Sequence, residues 1–401
     1  MICKFGFGGM MEMIYIAKDI PLWQVTIWDK KFNNVDKKWQ PKTIKYKYLL
    51  SDELDSLRVD DGDVRILYTG KDVGFTTEEL AGDRLSEGEI ISIPWGGIPT
   101  VKYHKGKFVT GDNRIATSKD INKLTNKYLY YFMRGNIHEI ASYYRGASLK
   151  HPCMKDILKM TISYPSVQEQ DKICGQFDVL EQIIEVRKQE LQLLDDLIKA
   201  RFVEMFGDCT NMISLSDLCL IITDGTHQSP KFQHEGIPFI LVSNLSKNTV
   251  TYDTDKFISA ETYKELYKRT PIEIGDILLS TVGSYGHPAV VVEDRKFLFQ
   301  RHIAYLKPKS DILNSYYMHG ALLSPGCQRQ IEEKVKGIAQ KTLNLSEIRK
   351  IRIPVPSLDL QKQYADFVHQ VNKSKFDTMT FAPIYAIINL YLHTYFYQGR
   401  R

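Results

Sequence analysis

The stretch Ser166–Gly207, SVQEQDKICGQFDVLEQIIEVRKQELQLLDDLIKARFVEMFG, sets the architecture of this chain. It follows Pro165, contains no other proline and a single internal glycine, Gly175, and stops at Phe206-Gly207-Asp208. Phe177, Leu180, Ile184, Leu191, Leu194, Ile198 and Met205 recur three and four apart, with Arg187 and Arg201 in two slots of the same rhythm. Such a stripe is the seam of a helix that packs against another helix. At about 1.5 Å per residue, roughly 40 residues make a helix about 60 Å long. It is either one long helix inside a larger fold or a spacer between two bodies.

A repeat supports the spacer. Gly146–Gln170 aligns without gaps on Gly337–Gln361, with identities at Gly146/Gly337, Lys150/Lys341, Ile157/Ile348, Lys159/Lys350, Ile162/Ile353, Pro165/Pro356, Ser166/Ser357 and Gln170/Gln361. Upstream, Gly88-Glu89-Ile90-Ile91-Ser92 echoes Gly275-Asp276-Ile277-Leu278-Leu279, and Arg114-Ile115-Ala116 echoes His302-Ile303-Ala304. The unit of globule plus long helix therefore occurs twice, a domain duplication. Two helices with apolar seams are expected to pair antiparallel and to place one globule at each end.

Within the first globule, strand-like runs are Val25–Trp28, Lys45–Leu50, Val64–Thr69, Ile90–Pro94, Thr100–Tyr103 and Lys107–Thr110, with turns at Asp61-Gly62, Lys105-Gly106 and Gly111-Asp112. Asn126–Tyr144 is expected to be helical. In the second globule, strands are expected at Phe239–Val242, Ile277–Thr281, Ala289–Val292 and Phe297–Phe299, and a helix at Asn314–Val335. The fold class is α+β, two similar mixed α/β domains joined by long helices that pair as an antiparallel coiled coil. The expected boundaries are a leader at 1–13 (an upstream start codon would explain it), a domain at 14–165, the spacer helix at 166–207, a second domain at 208–356, a second helix at 357–376 and an atypical aromatic tail at 377–401. In that tail Pro383 interrupts any helix; a short helix packed elsewhere is one reading of it.

With 401 residues, 43% hydrophobic and 25% charged, the chain suits two or three cored domains. No apolar run is long enough for a membrane helix, and no signal pattern opens the chain. Cys3, Cys153, Cys174, Cys209, Cys219 and Cys327 are scattered without metal spacing, which points to reduced thiols in the cytoplasm. The net charge of +5 is uneven: 25 basic and 20 acidic residues in 1–165, 5 and 10 in 166–208, and 23 and 18 in 209–401. Two mildly basic bodies flanking an acidic helix suit contact with a polyanion.

Catalytic motifs are missing. There is no N-P-P-[YFW], no Walker lysine loop and no H-E-x-x-H. The glycines of Phe5-Gly6-Phe7-Gly8-Gly9 have no preceding strand, and Asp60-Asp61-Gly62-Asp63 lacks the closing Glu of a calcium loop. Asp224 and His227 read as turn residues of a Gly-Thr loop. No catalytic residue and no metal site is assigned. The polar loops suit DNA better, since Arg and Lys match guanine, Asn and Gln match adenine, and Lys, Arg, Ser and Thr match phosphate. The candidates are Trp95, Lys102, Tyr103, Lys105, Arg114 and Lys150 in the first body, and His227, Gln228, Lys231, Asn244, Ser284, Tyr285, His287, Arg301, His302 and Lys341 in the second. Gly146/Lys150 and Gly337/Lys341 are each a turn with a phosphate-binding lysine or only a helix stop. The loops differ between the bodies, which predicts two different half-sites.

The chain resembles the DNA-specificity subunit of type I restriction–modification enzymes. The residues that carry this are Asp224-Gly225-Thr226-His227-Gln228-Ser229-Pro230, the run Gly275–Gly286, Ile353-Pro354-Val355-Pro356-Ser357, and Met205-Phe206-Gly207-Asp208. Gly88-Glu89-Ile90-Ile91-Ser92 and Gly111-Asp112-Asn113-Arg114 add to them, so the likeness spans about residues 20–372. It implies two target-recognition domains that read a split, asymmetric sequence in double-stranded DNA, and helices that space them and dock two methylation subunits. It further implies restriction subunits in the full complex and no catalysis by this chain. S-adenosylmethionine then belongs to the methylation partner, and ATP and Mg2+ to the restriction partner. The other reading of the tail at 377–401, a frameshifted or recombined end, rests on this resemblance and not on composition. The competing readings are a stand-alone DNA-processing enzyme and a coiled-coil adaptor.

Overall fold

The computed structural model describes residues 17–29, 43–70, 73–337 and 341–379. The expected leader, and the tail beyond Met379, lie outside the described residues. The chain divides into two compact units between Val186 and Arg187.

The first body opens with strand β1 (Ala17–Pro21), one helical turn and β2 (Thr26–Asp29). Its centre is a seven-stranded sheet containing β2, β3 (Ser86–Pro94), β4 (Lys102–Thr110) and β5 (Asn113–Ser118), in the order β2-β5-β3-β4 and antiparallel throughout that run. Strands Val64–Leu67 and Val73–Thr76 extend it beyond β4, and Thr43–Ile44 beyond β2. Helices α1 (Asn126–Gly135) and α2 (Ile137–Ser142) follow, then β6 (Thr161–Tyr164), which returns to pair with β1. The helix α3 (Val167–Phe206) is continuous for 40 residues.

The second body repeats this plan. Its elements are β7 (Met212–Ser214), β8 (Cys219–Asp224), β9 (Ile277–Ser280), β10 (Pro288–Val290), β11 (Ile303–Pro308), α4 (Ser315–Leu323), α5 (Pro325–Lys334), β12 (Arg352–Pro354) and α6 (Leu358–Met379). The sheet order β8-β11-β9-β10 is that of β2-β5-β3-β4, again antiparallel, and β7 pairs with β12 as β1 pairs with β6. Individual bonds repeat too. The Leu22 amide donates to the Met160 carbonyl and the Leu215 amide to that of Ile351, both at 2.8 Å. Tyr128 and Tyr317 donate their hydroxyls to the carbonyls of Ser163 and Pro354.

Each long helix is locked to its body by a buried glutamine. The Gln170 side chain accepts from the Thr125 amide at 2.9 Å and donates to the carbonyls of Lys123 and Pro165 at 2.7 and 2.9 Å. Gln361 accepts from the Asn314 amide at 2.8 Å and donates to the carbonyls of Ile312 and Pro356, both at 3.0 Å. Thr125 and Asn314 are the N-caps of α1 and α4. One amide thus ties the start of the long helix to the cap of an earlier helix, satisfying groups that burial would otherwise leave unpaired.

Along α3 the seam positions are the less exposed ones. Phe177 is buried, Leu180, Ile184, Leu191, Leu194, Ile198 and Met205 are half-buried, and so are Arg187 and Arg201. Phe177 joins Ile173, Cys174, Tyr131 and Phe132 in the first core; Phe202 and Phe206 join Tyr317, Tyr364 and Val368 in the second. In the second unit α3 and α6 run antiparallel. Phe206 and Phe202 meet Tyr364, Arg201 lies over the Phe367 ring, and Asp195 pairs with Lys375 at 2.5 Å.

Several local expectations are corrected. Lys105-Gly106 is not a turn: β4 runs straight through it, with Gly106 opposite Gly88 on β3. Lys45–Leu50 forms only an isolated bridge at Tyr48. The helix expected at Asn126–Tyr144 breaks at buried Asn136, whose side chain donates to the Phe132 carbonyl, and that at Asn314–Val335 breaks at Ser324-Pro325, where Ser324 caps α5. The echo of Gly88 with Gly275 is one residue out of register. Ile91 faces Ala116 and Leu279 faces Ala304, so Ile91 matches Leu279 rather than Leu278. Both lie in the helix-facing cores, and a one-residue slip would turn them to the other face.

Replacing Gln170 or Gln361 by Leu takes the side-chain partner from three backbone groups that are wholly or partly buried, a cost of about 3 kcal/mol. A melt followed by far-ultraviolet circular dichroism is expected to show the affected transition lowered by about 6–12 °C. Burial raises the Cys174, Cys219 and Cys327 thiols to about 12. At pH 8 these three are expected to resist iodoacetamide in the folded chain while half-buried Cys153 and Cys209 react, as read by mass spectrometry.

Candidate nucleic-acid interface

In each body the hairpin between the third and fourth strands of the shared frame reaches the loop before the final strand and helix. In the first body this is the β3–β4 hairpin. The Trp95 amide donates to the Asp112 carbonyl at 3.0 Å, and the Gly97 amide to the Lys150 carbonyl at 3.1 Å. The His151 ring lies 5.3 Å from that of Trp95, and its Nδ1 is 2.7 Å from the Trp95 carbonyl oxygen. The turn at Gly111-Asp112, the hairpin tip and Lys150-His151 therefore form one edge.

The second body builds the same edge from β9–β10. The Gly283 amide donates to the Lys341 carbonyl at 3.1 Å, Leu343 donates to Thr281 at 2.8 Å, and Thr281 to His302 at 3.0 Å. Arg301 donates to Thr226 at 3.0 Å, which brings the Asp224–His227 loop into the row. Gly225 is required there, because a β-carbon would lie 2.3 Å from the Phe299 carbonyl oxygen.

The structure sorts the predicted residues. Trp95 and Lys150 share the first edge, and His227, Ser284, Tyr285, Arg301, His302 and Lys341 share the second. Lys150, Lys341, Ser284, Arg301 and His227 are exposed. The Lys341 ammonium lies 5.9 Å from the centre of the Tyr285 ring. Burial, with Arg301 beside it, holds the His302 imidazole below its ordinary pKa, so this ring is neutral near pH 7. Gln228 and Lys231 are exposed in the loop leading to Ile237–Ile240.

Other candidates are held elsewhere. Arg114 is fully buried: its guanidinium pairs with Asp29 at 3.1 Å and with Asp112, and lies 4.6 Å from the Trp95 ring centre. It supports the edge from beneath and reaches no ligand. Asn244 is buried and organises its own loop through Leu241, Thr251 and Asp253. Tyr103 donates to Glu89 at 2.7 Å partway down β4, with Lys105 beside the same carboxylate. The Lys102 ammonium donates to the Tyr68 carbonyl. His287 turns inward, Nδ1 lying 3.0 Å from Asn248 Oδ1.

Sequence reasoning missed His151, although it adjoins the repeated Lys150. It also missed Arg269, which pairs with Asp224 at 2.6 Å, while Asp224 also holds His227 at 2.9 Å. No sequence signal links Arg269 to Asp224, 45 residues away. Among the described residues no cluster of three His, Cys, Asp or Glu could hold a metal ion, and no helix is long and apolar enough to cross a membrane.

Comparison with known proteins gives a consistent picture. The family described as "Type I restriction modification DNA specificity domain" matches residues 55–195 and again 210–383. The EcoBI type I restriction enzyme specificity subunit of Escherichia coli is 23% identical over 282 residues, 62% of this chain; the match spans 59% of that relative's length. The MjaVIII specificity subunit of Methanocaldococcus jannaschii is 19% identical over 327 residues, covering 75% of this chain and 76% of the relative. The crystal structure of a type I restriction–modification S subunit from M. genitalium aligns over 99% of both chains with a TM-score of 0.57 at 15% identity, a likeness of fold.

Arg114→Met would leave the Asp29 carboxylate buried without its cation. The expected cost is about 3–5 kcal/mol, read as a lower urea midpoint for the first body, while exposed Lys150→Met is expected to stay within about 0.5 kcal/mol of the parent.

Proposed function

The chain belongs to the type I restriction modification DNA specificity family, and from that premise we propose that it reads DNA sequence for a type I restriction–modification complex. The observation that carries this is the twofold occurrence of one edge on one frame with different side chains: Trp95, Ile98 and Lys150 in the first body, and Ser284, Tyr285, Arg301 and Lys341 in the second. Each edge offers exposed cations for phosphates and distinct groups for bases. Dissimilar edges fit two dissimilar half-sites, a bipartite and asymmetric target.

In this reading the chain catalyses nothing. It works in the cytoplasm with two methylation subunits, which use S-adenosylmethionine to methylate adenine, and with restriction subunits that use ATP and Mg2+. The modest positive charge of each body supports dependence on the partners for tight binding, since sequence-independent affinity scales with the phosphates neutralised.

The test is single-molecule sequencing for methylated adenine in DNA from cells expressing this chain with its methylation subunit. A split, non-palindromic methylated motif is the expected result; methylation or cutting by the purified chain alone would overturn the proposal. For the purified complex, Lys150→Ala and Lys341→Ala are each expected to lower the slope of log affinity against log salt by about 0.9, with little change in which sequence is preferred.

A further inference from the structure

The two hairpin tips can be matched residue by residue. Lys150 and Lys341 occupy the same place in the repeated block, and each accepts the amide of a glycine from its body's hairpin, Gly97 and Gly283, both at 3.1 Å. Both glycines have left-handed backbones, with φ of 93° and 71°, a conformation that favours glycine. The next residue leaves the anchor in each body: Ile98 in the first, Ser284 in the second. Both side chains are exposed.

Ile98 is 77% exposed, more than any other large hydrophobic side chain among the described residues. It is followed by Pro99, and Leu149, 55% exposed, lies across the anchor against Gly96. This apolar tip is anchored on exposed Lys150. A large apolar side chain held in water next to a cation suits a DNA groove, where a phosphate takes the cation and the thymine methyl is the apolar feature of the major-groove floor. Ser284 carries a hydroxyl, which reads hydrogen-bonding base edges instead.

We infer that the residue after the anchored glycine is a base-reading position in both bodies: Ile98 recognises a thymine C5-methyl group in the major groove, and Ser284 a hydrogen-bonding base edge in the other half-site. This rests on the function proposed above and adds which base chemistry each body selects.

The test uses the complex with its methylation subunits and duplexes carrying its methylated motif. Each thymine is replaced in turn by deoxyuridine, which removes only the methyl group, and Kd is measured. For the parent, deoxyuridine at one position of one half-site is expected to weaken binding about fourfold, the worth of one buried carbon group. Ile98→Ala is expected to abolish that sensitivity while leaving the other half-site's preferences intact. Ser284→Ala is expected to relax discrimination at one position of the opposite half-site. Both side chains project from the anchor into solvent, so both variants are expected to melt with the parent.

The inference is overturned if no thymine methyl affects binding, if Ile98→Ala retains the parental sensitivity, or if Ser284→Ala discriminates as the parent does. Failure of the parental complex to prefer any sequence would instead overturn the proposed function.

Discussion

One side-chain amide at the foot of each long helix holds its body in register. Gln170 and Gln361 are fully buried, and each spends both ends of its amide on three backbone groups, two from the loop that caps a helix and one from the proline before its own helix. A buried amide cannot shift by an ångström without losing a bond worth more in that environment than in water. The helix start, the cap of the preceding helix and the proline after the last strand therefore move together. Ion pairs extend the grip in the first body, where Lys127 meets Asp178 at 2.7 Å and Arg134 meets Glu181.

On this common frame the two edges are stiffened differently. The first stands on a buried cation, Arg114, fixed by two carboxylates and covered by Trp95. The second has His302 at the matching sequence position, partly exposed and held neutral, and takes its order from Asp224 with Arg269 and His227. An ion pair sealed in the interior is screened by salt far less than an exposed one. The two edges thus differ in how far salt weakens the ion pairs beneath them, as well as in the groups they present.

Much of the fold was legible because its strongest signals are periodic. The stripe from Phe177 to Met205 gave the long helix, and the repeat ending at Gln170 and Gln361 gave the duplication. Strands Cys219–Asp224 and Ile303–Pro308 were not read, because their apolar residues run together and periodicity cannot separate a buried strand from a buried helix turn. The edge was legible as a composition of loops but not residue by residue. Arg114 looks like a DNA contact until Asp29, 85 residues earlier, is seen closing on it, and Asn244 looks exposed until its loop folds around it. Long-range pairing decides whether a charged residue is a tool or a strut, and a single sequence carries little of that.

The bond that fixes each hairpin tip runs from a glycine amide to a lysine carbonyl and uses no side-chain atom. Its strength is therefore indifferent to the identity of the residue that follows. A substitution at 98 or 284 alters what the tip offers its ligand while the anchor, the sheet and the helix lock stay as they are. Stability and selectivity are thereby written in separate atoms, so that new preferences can be tried at the tip without first re-solving the folding problem.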